Sequence, residues 1–194
     1  MIDILNIPIA ISQLKLCYAF RGHNPNIVNC IDISNEVEIL VVDDNIKRYS
    51  RFTKDEYSRD VALTVLNDKK KDIYLLSIDN CFFSNQPGGI ADCALFDEYS
   101  FNFVEFKTNA QGNSIPQIEL TYRDALAQLE STYQLFYDRI QAIGVDFSAI
   151  VYVRCIVVVN NHFPRQTAME QDLIIEAAKG VNHIDLSFDS ILYF

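Results

Sequence analysis

No Cys-x-x-Cys pair occurs in this chain, and its three histidines, His23, His162 and His183, lie far apart. Structural zinc sites and iron–sulfur clusters draw on closely spaced ligands. Both are therefore excluded, and the histidines read as structural or surface residues. The cysteine count is odd: Cys17, Cys30, Cys81, Cys93 and Cys155. At least three of them sit in apolar, strand-like runs, which fits reduced, buried thiols in a cytoplasmic protein. Long hydrophobic runs are missing as well. The longest, residues 149–159, is interrupted by Arg154 and falls short of a membrane span. The opening MIDILNIPIA lacks the basic n-region of a secretory signal. Internal repeats, low-complexity tracts and linkers are absent, so residues 1–194 are read as one domain.

Positive charge is also short. Sixteen Lys and Arg stand against 26 Asp and Glu, a formal net charge of −10. A protein that grips a phosphate backbone usually shows a basic face. Either the basic groups are concentrated locally, or another chain supplies the grip on nucleic acid. The acidic balance argues against strong unaided binding to long duplexes. It does not argue against a metal site, which wants carboxylates. What is present is an ordinary globular composition, 49% hydrophobic and 22% charged over 194 residues, enough for a real core.

Along the chain, residues 4–20 suggest a short strand and then a helix from Ser12, and GHNPN (22–26) a loop. EVEILVV (36–42), the turn residues Asp43, Asp44 and Asn45, and residues 46–52 together predict a β-hairpin. Thr53 and Glu56 fit a capping box for a helix running to about Leu66, with Tyr57, Val61 and Val65 four apart. NDKKKD (67–72) is a charged turn whose Lys69, Lys70 and Lys71 form the densest basic cluster, a solvated loop or a phosphate contact. Residues 73–83 read as the first core strand and NQPGG (85–89) as a turn. Further on, Ser114 and Gln117 form a second capping box with Pro116 in the first turn. The helix that follows places Ile118, Tyr122, Ala125, Leu129, Tyr133, Phe136, Ile140 and Ile143 on one stripe and ends by Gly144. AIVYVRCIVVV (149–159) reads as a strand buried on both faces, in which Arg154 needs a partner or an edge. Thr167 and Glu170 suggest a third capped helix ending at Gly180, followed by short terminal strands or one bent strand.

The stretch GGIADCALFDEYSFNFVEFKT (88–108) holds the chemistry. It predicts two apolar strands, Ile90–Phe96 and Phe101–Thr108, joined by a tight turn. Alternation puts Phe101, Phe103, Glu105 and Lys107 on one face and Asn102, Val104, Phe106 and Thr108 on the other. Charges inside an apolar strand are costly unless paired or bound to metal. Asp92 on the neighbouring strand would complete a divalent-cation site with Glu105, and Lys107 would lie beside them.

This pattern resembles the PD-(D/E)xK nuclease superfamily, with the restriction-endonuclease-like fold: Asp92, then Glu105, Phe106 and Lys107, in residues 73–159. Ala91 stands where the signature has proline. The resemblance implies an α/β fold with a central mixed sheet flanked by helices. The core would run over about 53–159 in the order helix–strand–strand–strand–helix–strand, preceded by the hairpin as an N-terminal extension. It further implies Mg²⁺ or Mn²⁺ held by Asp92, Glu105 and the Phe106 carbonyl, with Lys107 orienting water. Glu56 on the preceding helix and Gln128 on the long helix are possible accessory residues. Capping already explains Glu56, and the RecB-like Q-x-x-x-Y spacing is missing around Gln128, which reads as a boundary residue. The implied activity is hydrolysis of phosphodiesters, DNA first, in microbial DNA processing or defence, with a protein partner or a second copy supporting the acidic chain. The alternative is a non-catalytic protein-binding or immunity-type module on the same fold, which the 10 Tyr and 13 Phe would suit.

Overall fold

The computed structural model describes residues 13–22, 27–83, 89–180 and 182–194. Most of the early strand and helix expected over 4–20, most of the 22–26 loop and most of the 85–89 turn lie outside these residues. After a short helix α1 (Leu16–Ala19) and a 3-10 turn (Ile27–Cys30) come β1 (Ile31–Ser34), β2 (Glu38–Asp44) and β3 (Tyr49–Thr53). A second 3-10 turn (Glu56–Val61) leads to β4 (Leu63–Leu66) and β5 (Ile73–Ser77). Then follow β6 (Cys93–Phe96), β7 (Ser100–Lys107), the long helix α2 (Ile115–Gln141), α3 (Phe147–Ile150) and β8 (Tyr152–Val159). The chain closes with α4 (Thr167–Lys179), β9 (Asp185–Ser187) and β10 (Ile191–Tyr193).

The architecture is α/β, with a six-stranded mixed sheet in the order β1-β5-β6-β7-β8-β9 and a second, four-stranded sheet, β10-β4-β2-β3. In the large sheet β7, β8 and β9 are parallel and the remaining pairs antiparallel. Alternation sorts the strand residues between two cores. Ala94, Phe96, Phe101 and Phe103 pack toward Tyr122, Leu129 and Phe136 of α2. Cys93, Leu95, Val104 and Phe106 pack toward Ile39, Val41, Leu63 and Val65 of the smaller sheet. The large sheet is thus the middle of three layers. The stripe expected on α2 is the one buried, from Ile118 to Ile140. Its Ser114 makes no side-chain cap bond, but Pro116 does occupy the first turn.

The hairpin forms as predicted, with Asp43 opposite Ser50. It is not an isolated extension, because β4 and the C-terminal β10 complete its sheet. The helix expected over 53–66 does not form, so the core lacks the leading helix of the implied order. Thr53 Oγ1 accepts from the amide of Asp55 at 3.1 Å, and Glu56 turns to Arg59 at 2.7 Å instead of reaching back. Arg59 also pairs with Glu38 on β2 at 2.7 Å. Beyond that point Leu63 and Val65 are buried while Thr64 and Leu66 are not, which is the period of a strand. The four-residue spacing was a local pattern that the sheet overrides.

Three other expectations change. Cys30 and Cys81 form a disulfide with Cα atoms 5.7 Å apart, because β1 and β5 are antiparallel neighbours. Only Cys17, Cys93 and Cys155 remain as thiols, the last two buried. The long strand begins at Tyr152, later than expected. Asp146 caps α3 first, its Oδ1 accepting from the Ala149 amide at 3.2 Å. Arg154 finds its partner in Asp185 at 3.2 Å. At α4 the cap is Gln166, and Glu170 instead takes Arg165 at 2.5 Å and the Tyr122 hydroxyl at 2.6 Å.

Candidate metal centre

Asp92 stands just before β6, where the antiparallel register pairs Cys93 with Val104. One step further along the same register sets Asp92 opposite Glu105. Since Ala94 and Phe96 face α2 while Cys93 faces the second sheet, alternation turns Asp92 toward α2. The same argument from Phe101 and Phe103 turns Glu105 and Lys107 that way. The three motif residues therefore share one face at one end of the sheet.

The backbone around Asp92 is fixed from both layers. Its carbonyl accepts from the amides of Ile78 at 2.9 Å and Asp79 at 3.2 Å, where β5 ends. The Ala91 amide donates to Thr132 Oγ1 of α2 at 2.7 Å. Asp92 Oδ2 accepts from the Phe106 amide at 2.6 Å, so Phe106 is tied to the site by its main chain.

Glu105 is 3% exposed. Its Oε1 meets Lys107 Nζ at 2.9 Å, while its Oε2 is buried without a hydrogen-bond partner. Lys107 continues to Asp124 Oδ2 of α2 at 2.5 Å, and Gln128 Nε2 donates to the same oxygen at 3.0 Å. Gly89, at φ +77°, packs on Gln128; a Cβ there would meet the Gln128 Cγ at 2.9 Å. A relay of contacts thus runs from Gly89 through Gln128, Asp124 and Lys107 to Glu105.

The electrostatics follow from too many acids in a dry place. Burial, then the charges of Glu105 and Asp43, push the Asp92 carboxyl well above the ordinary range, against the pull of the Phe106 amide and Lys107. Burial pushes Glu105 up to about 7; Lys107 lowers it, and Asp124 and Asp43 raise it. Burial works against the Lys107 charge, but Glu105 and Asp124 outweigh it and hold the ammonium above its usual range. Asp43, at the end of β2, is itself raised by burial and by Asp79 and Asp44. A divalent cation would reverse this repulsion.

The oxygen donor set fits a hard cation. Glu105 Oε2 is the observation that decides the fit, since a buried carboxylate oxygen with no donor is what an ion would satisfy. Among the described residues no three His, Cys, Asp or Glu side chains form a metal cage. The set available is two carboxylates, with the Phe106 carbonyl left as the main-chain candidate.

Not every candidate arrives here. Glu56 lies on the far side of the second sheet with Arg59 and Glu38. Lys69 and Lys70 are exposed, and Lys71 binds Asp97 Oδ2 at 2.9 Å at the opposite end of β7, roughly 20 Å away along the strand. Gln128 does arrive, through Asp124. Asp124 itself, Asp43 and Asp79 went unsuspected. The one local signal for Asp124 was its spacing of four from Gln128, which puts both on one edge of the helix. A cleft of about 590 Å³ lined by Tyr133, Tyr137, Tyr152 and His183 sits toward the other end of α2 and includes none of these residues. Compared with models of protein families, with curated proteins and with solved structures, the chain matches none.

Proposed function

We propose that the chain is a divalent-metal-dependent nuclease hydrolysing phosphodiester bonds, with DNA as the first substrate to test. The observation that carries this reading is the buried Glu105 carboxylate, one oxygen on Lys107 and one orphaned, beside a second, partly buried acid, Asp92. Such a grouping destabilises a protein that has no use for it. The free Asp92 oxygen, Glu105 Oε2 and the Phe106 carbonyl would hold Mg²⁺ or Mn²⁺. The ion, when bound, would lower the pKa of a water and offset charge on the phosphate. Lys107, fixed by Glu105, would hold a water in place by the donor that neither Glu105 nor Asp124 takes. Asp92 would be kept in position by the Phe106 amide, and the apolar neighbours Phe103 and Phe106 would exclude bulk water. Setting this activity in microbial DNA processing or defence rests on the motif resemblance alone.

The net charge of −10 supports weak, salt-sensitive binding to bare duplex, and a protein partner or a second copy that strengthens it. No helix among the described residues is long and apolar enough to cross a membrane. A cytoplasmic setting loses the support of reduced cysteines, since disulfides persist mainly in oxidising surroundings. A protein-binding module gains little support. The exposed Tyr18, Tyr99, Tyr152 and Tyr193 lie on different parts of the chain.

The test is cleavage of linear, circular and single-stranded DNA and RNA with Mg²⁺ or Mn²⁺, with Asp92→Asn and Lys107→Met beside the wild type. Losses of about a thousandfold, on the order of 4 kcal/mol of barrier, are expected in folded variants. Lys107→Met should still bind Mn²⁺ in calorimetry, and Asp92→Asn should not. A wild type that neither binds Mn²⁺ nor cuts any of these substrates overturns the reading.

A further inference from the structure

Lys107 is only 17% exposed by side chain and Glu105 beneath it 4%, whereas Asp124 above them is 56% exposed. An anion arriving from solvent at the ammonium therefore meets Asp124 first. An ammonium has three donors. One faces Glu105 Oε1 and one Asp124 Oδ2, at 2.9 and 2.5 Å. A carboxylate and a phosphodiester offer Lys107 the same kind of contact, a charged oxygen at hydrogen-bonding distance. Gln128, braced by Gly89, steadies the carboxylate in this position.

We propose that Asp124 is a built-in placeholder for the substrate phosphate: it occupies the phosphate position on Lys107 in the empty protein and must swing away before a nucleic-acid backbone can engage. The substrate class rests on the proposed nuclease function; the competition for Lys107 rests on these contacts alone. The latch is affordable to open because its solvent-facing partner is half-exposed, and ion pairs of that kind are weak. Its effect is selective. A ligand must bring negative charge to displace Asp124, so neutral or cationic molecules are refused at the same point.

The experiment separates this inference from the catalytic one. Binding of a short fluorescein-labelled DNA strand, and of its duplex, is measured by anisotropy in EDTA, where no metal-dependent cleavage occurs. Asp124→Asn should bind about five- to tenfold more tightly than wild type, and Asp124→Glu should restore the wild-type value. Asp172→Asn makes the same change of charge at an exposed position of α4 and should change binding less than about twofold. In the Lys107→Met background Asp124→Asn should give no gain. With metal present, the same substitution should lower KM. Circular dichroism checks folding, which Lys107 supports through its remaining contact with Glu105. The proposal is overturned if Asp124→Asn binds no better than Asp172→Asn, or if its gain survives removal of Lys107. Tighter binding with no cleavage would sink the nuclease reading and keep this one; cleavage with unchanged binding would do the reverse.

Discussion

Two acids are buried at the two ends of β7, and the protein treats them in opposite ways. Asp97, before the first residue of the strand, is 4% exposed; Glu105, near the last, is 3% exposed. Asp97 Oδ1 accepts from the amides of Tyr99 at 2.9 Å and Ser100 at 2.8 Å, and from the Ser100 hydroxyl at 3.1 Å. Its Oδ2 takes Lys71 at 2.9 Å. Burial alone would raise its pKa, but Lys71 and the two amides win and hold it below the usual range. Glu105 has one ion pair, an unpartnered oxygen and other acids around it, and rises to about 7. Depth does not decide the outcome; the supply of donors does. The completed acid ties a turn together, whereas Glu105 keeps one oxygen on Lys107 and the other without a donor.

The widest separation of the two should be in catalysis. Glu105→Gln should lower cleavage by about a thousandfold, while Asp97→Asn should retain wild-type cleavage per folded molecule. Equal losses at the two positions in folded protein would erase the distinction. Stability should run the other way. Asp97→Ala strands Lys71 and two turn amides, and urea unfolding at neutral pH should show a loss of about 3 kcal/mol. Because the folded pKa of Asp97 is depressed, its contribution is present above the unfolded carboxylate range and fades as the pH falls through the folded value. The gap between wild type and Asp97→Ala should narrow in acid.

Glu105→Gln should stabilise the metal-free protein at pH 8, by on the order of 1–3 kcal/mol. The sign follows from a folded pKa raised to about 7. The wild type keeps the benefit of its protonated Glu105 below the unfolded value and loses it as the pH rises through 7, whereas the amide does not titrate. The advantage should vanish near pH 4.5, and an advantage independent of pH would show that burial is not the cause. The smallest effect is on melting temperature. Saturating Mn²⁺ should raise Tm of the wild type by a few degrees at pH 8 and leave Glu105→Gln within about a degree.

Much of this contrast could be read from the chain. Alternation in residues 90–108 located β6 and β7 and put Glu105 and Lys107 on one face with Phe101 and Phe103, because a period of two survives whatever packs against it; that this face meets α2 is seen only in the fold. The stripe of α2 was legible for the same reason. The hairpin 38–53 was legible from its turn residues, but its place in a second sheet was not, because β10 joins it from the other end of the chain. Residues 53–66 misled because spacing by four and a Thr–Glu pair fit a helix locally, while the deciding contacts lie on β2 and β10. The ion pair of Lys107 with Asp124 crosses 17 residues and depends on how α2 sits on the sheet. Nothing in the local pattern of either segment announces it.

The disulfide between Cys30 and Cys81 has a topological consequence. It spans 51 residues and ties the chain just before β1 to the chain just after β5, two neighbouring strands of the large sheet between which the chain departs to build most of the smaller one. Everything between, including β2, β3 and β4, is a covalent lasso whose neck is tied. A protease cut in the exposed 45–47 turn would break the peptide chain without parting the molecule. The two pieces would still migrate as one until a reductant was added, and the piece carrying Asp43 would stay covalently joined to the piece carrying Asp92.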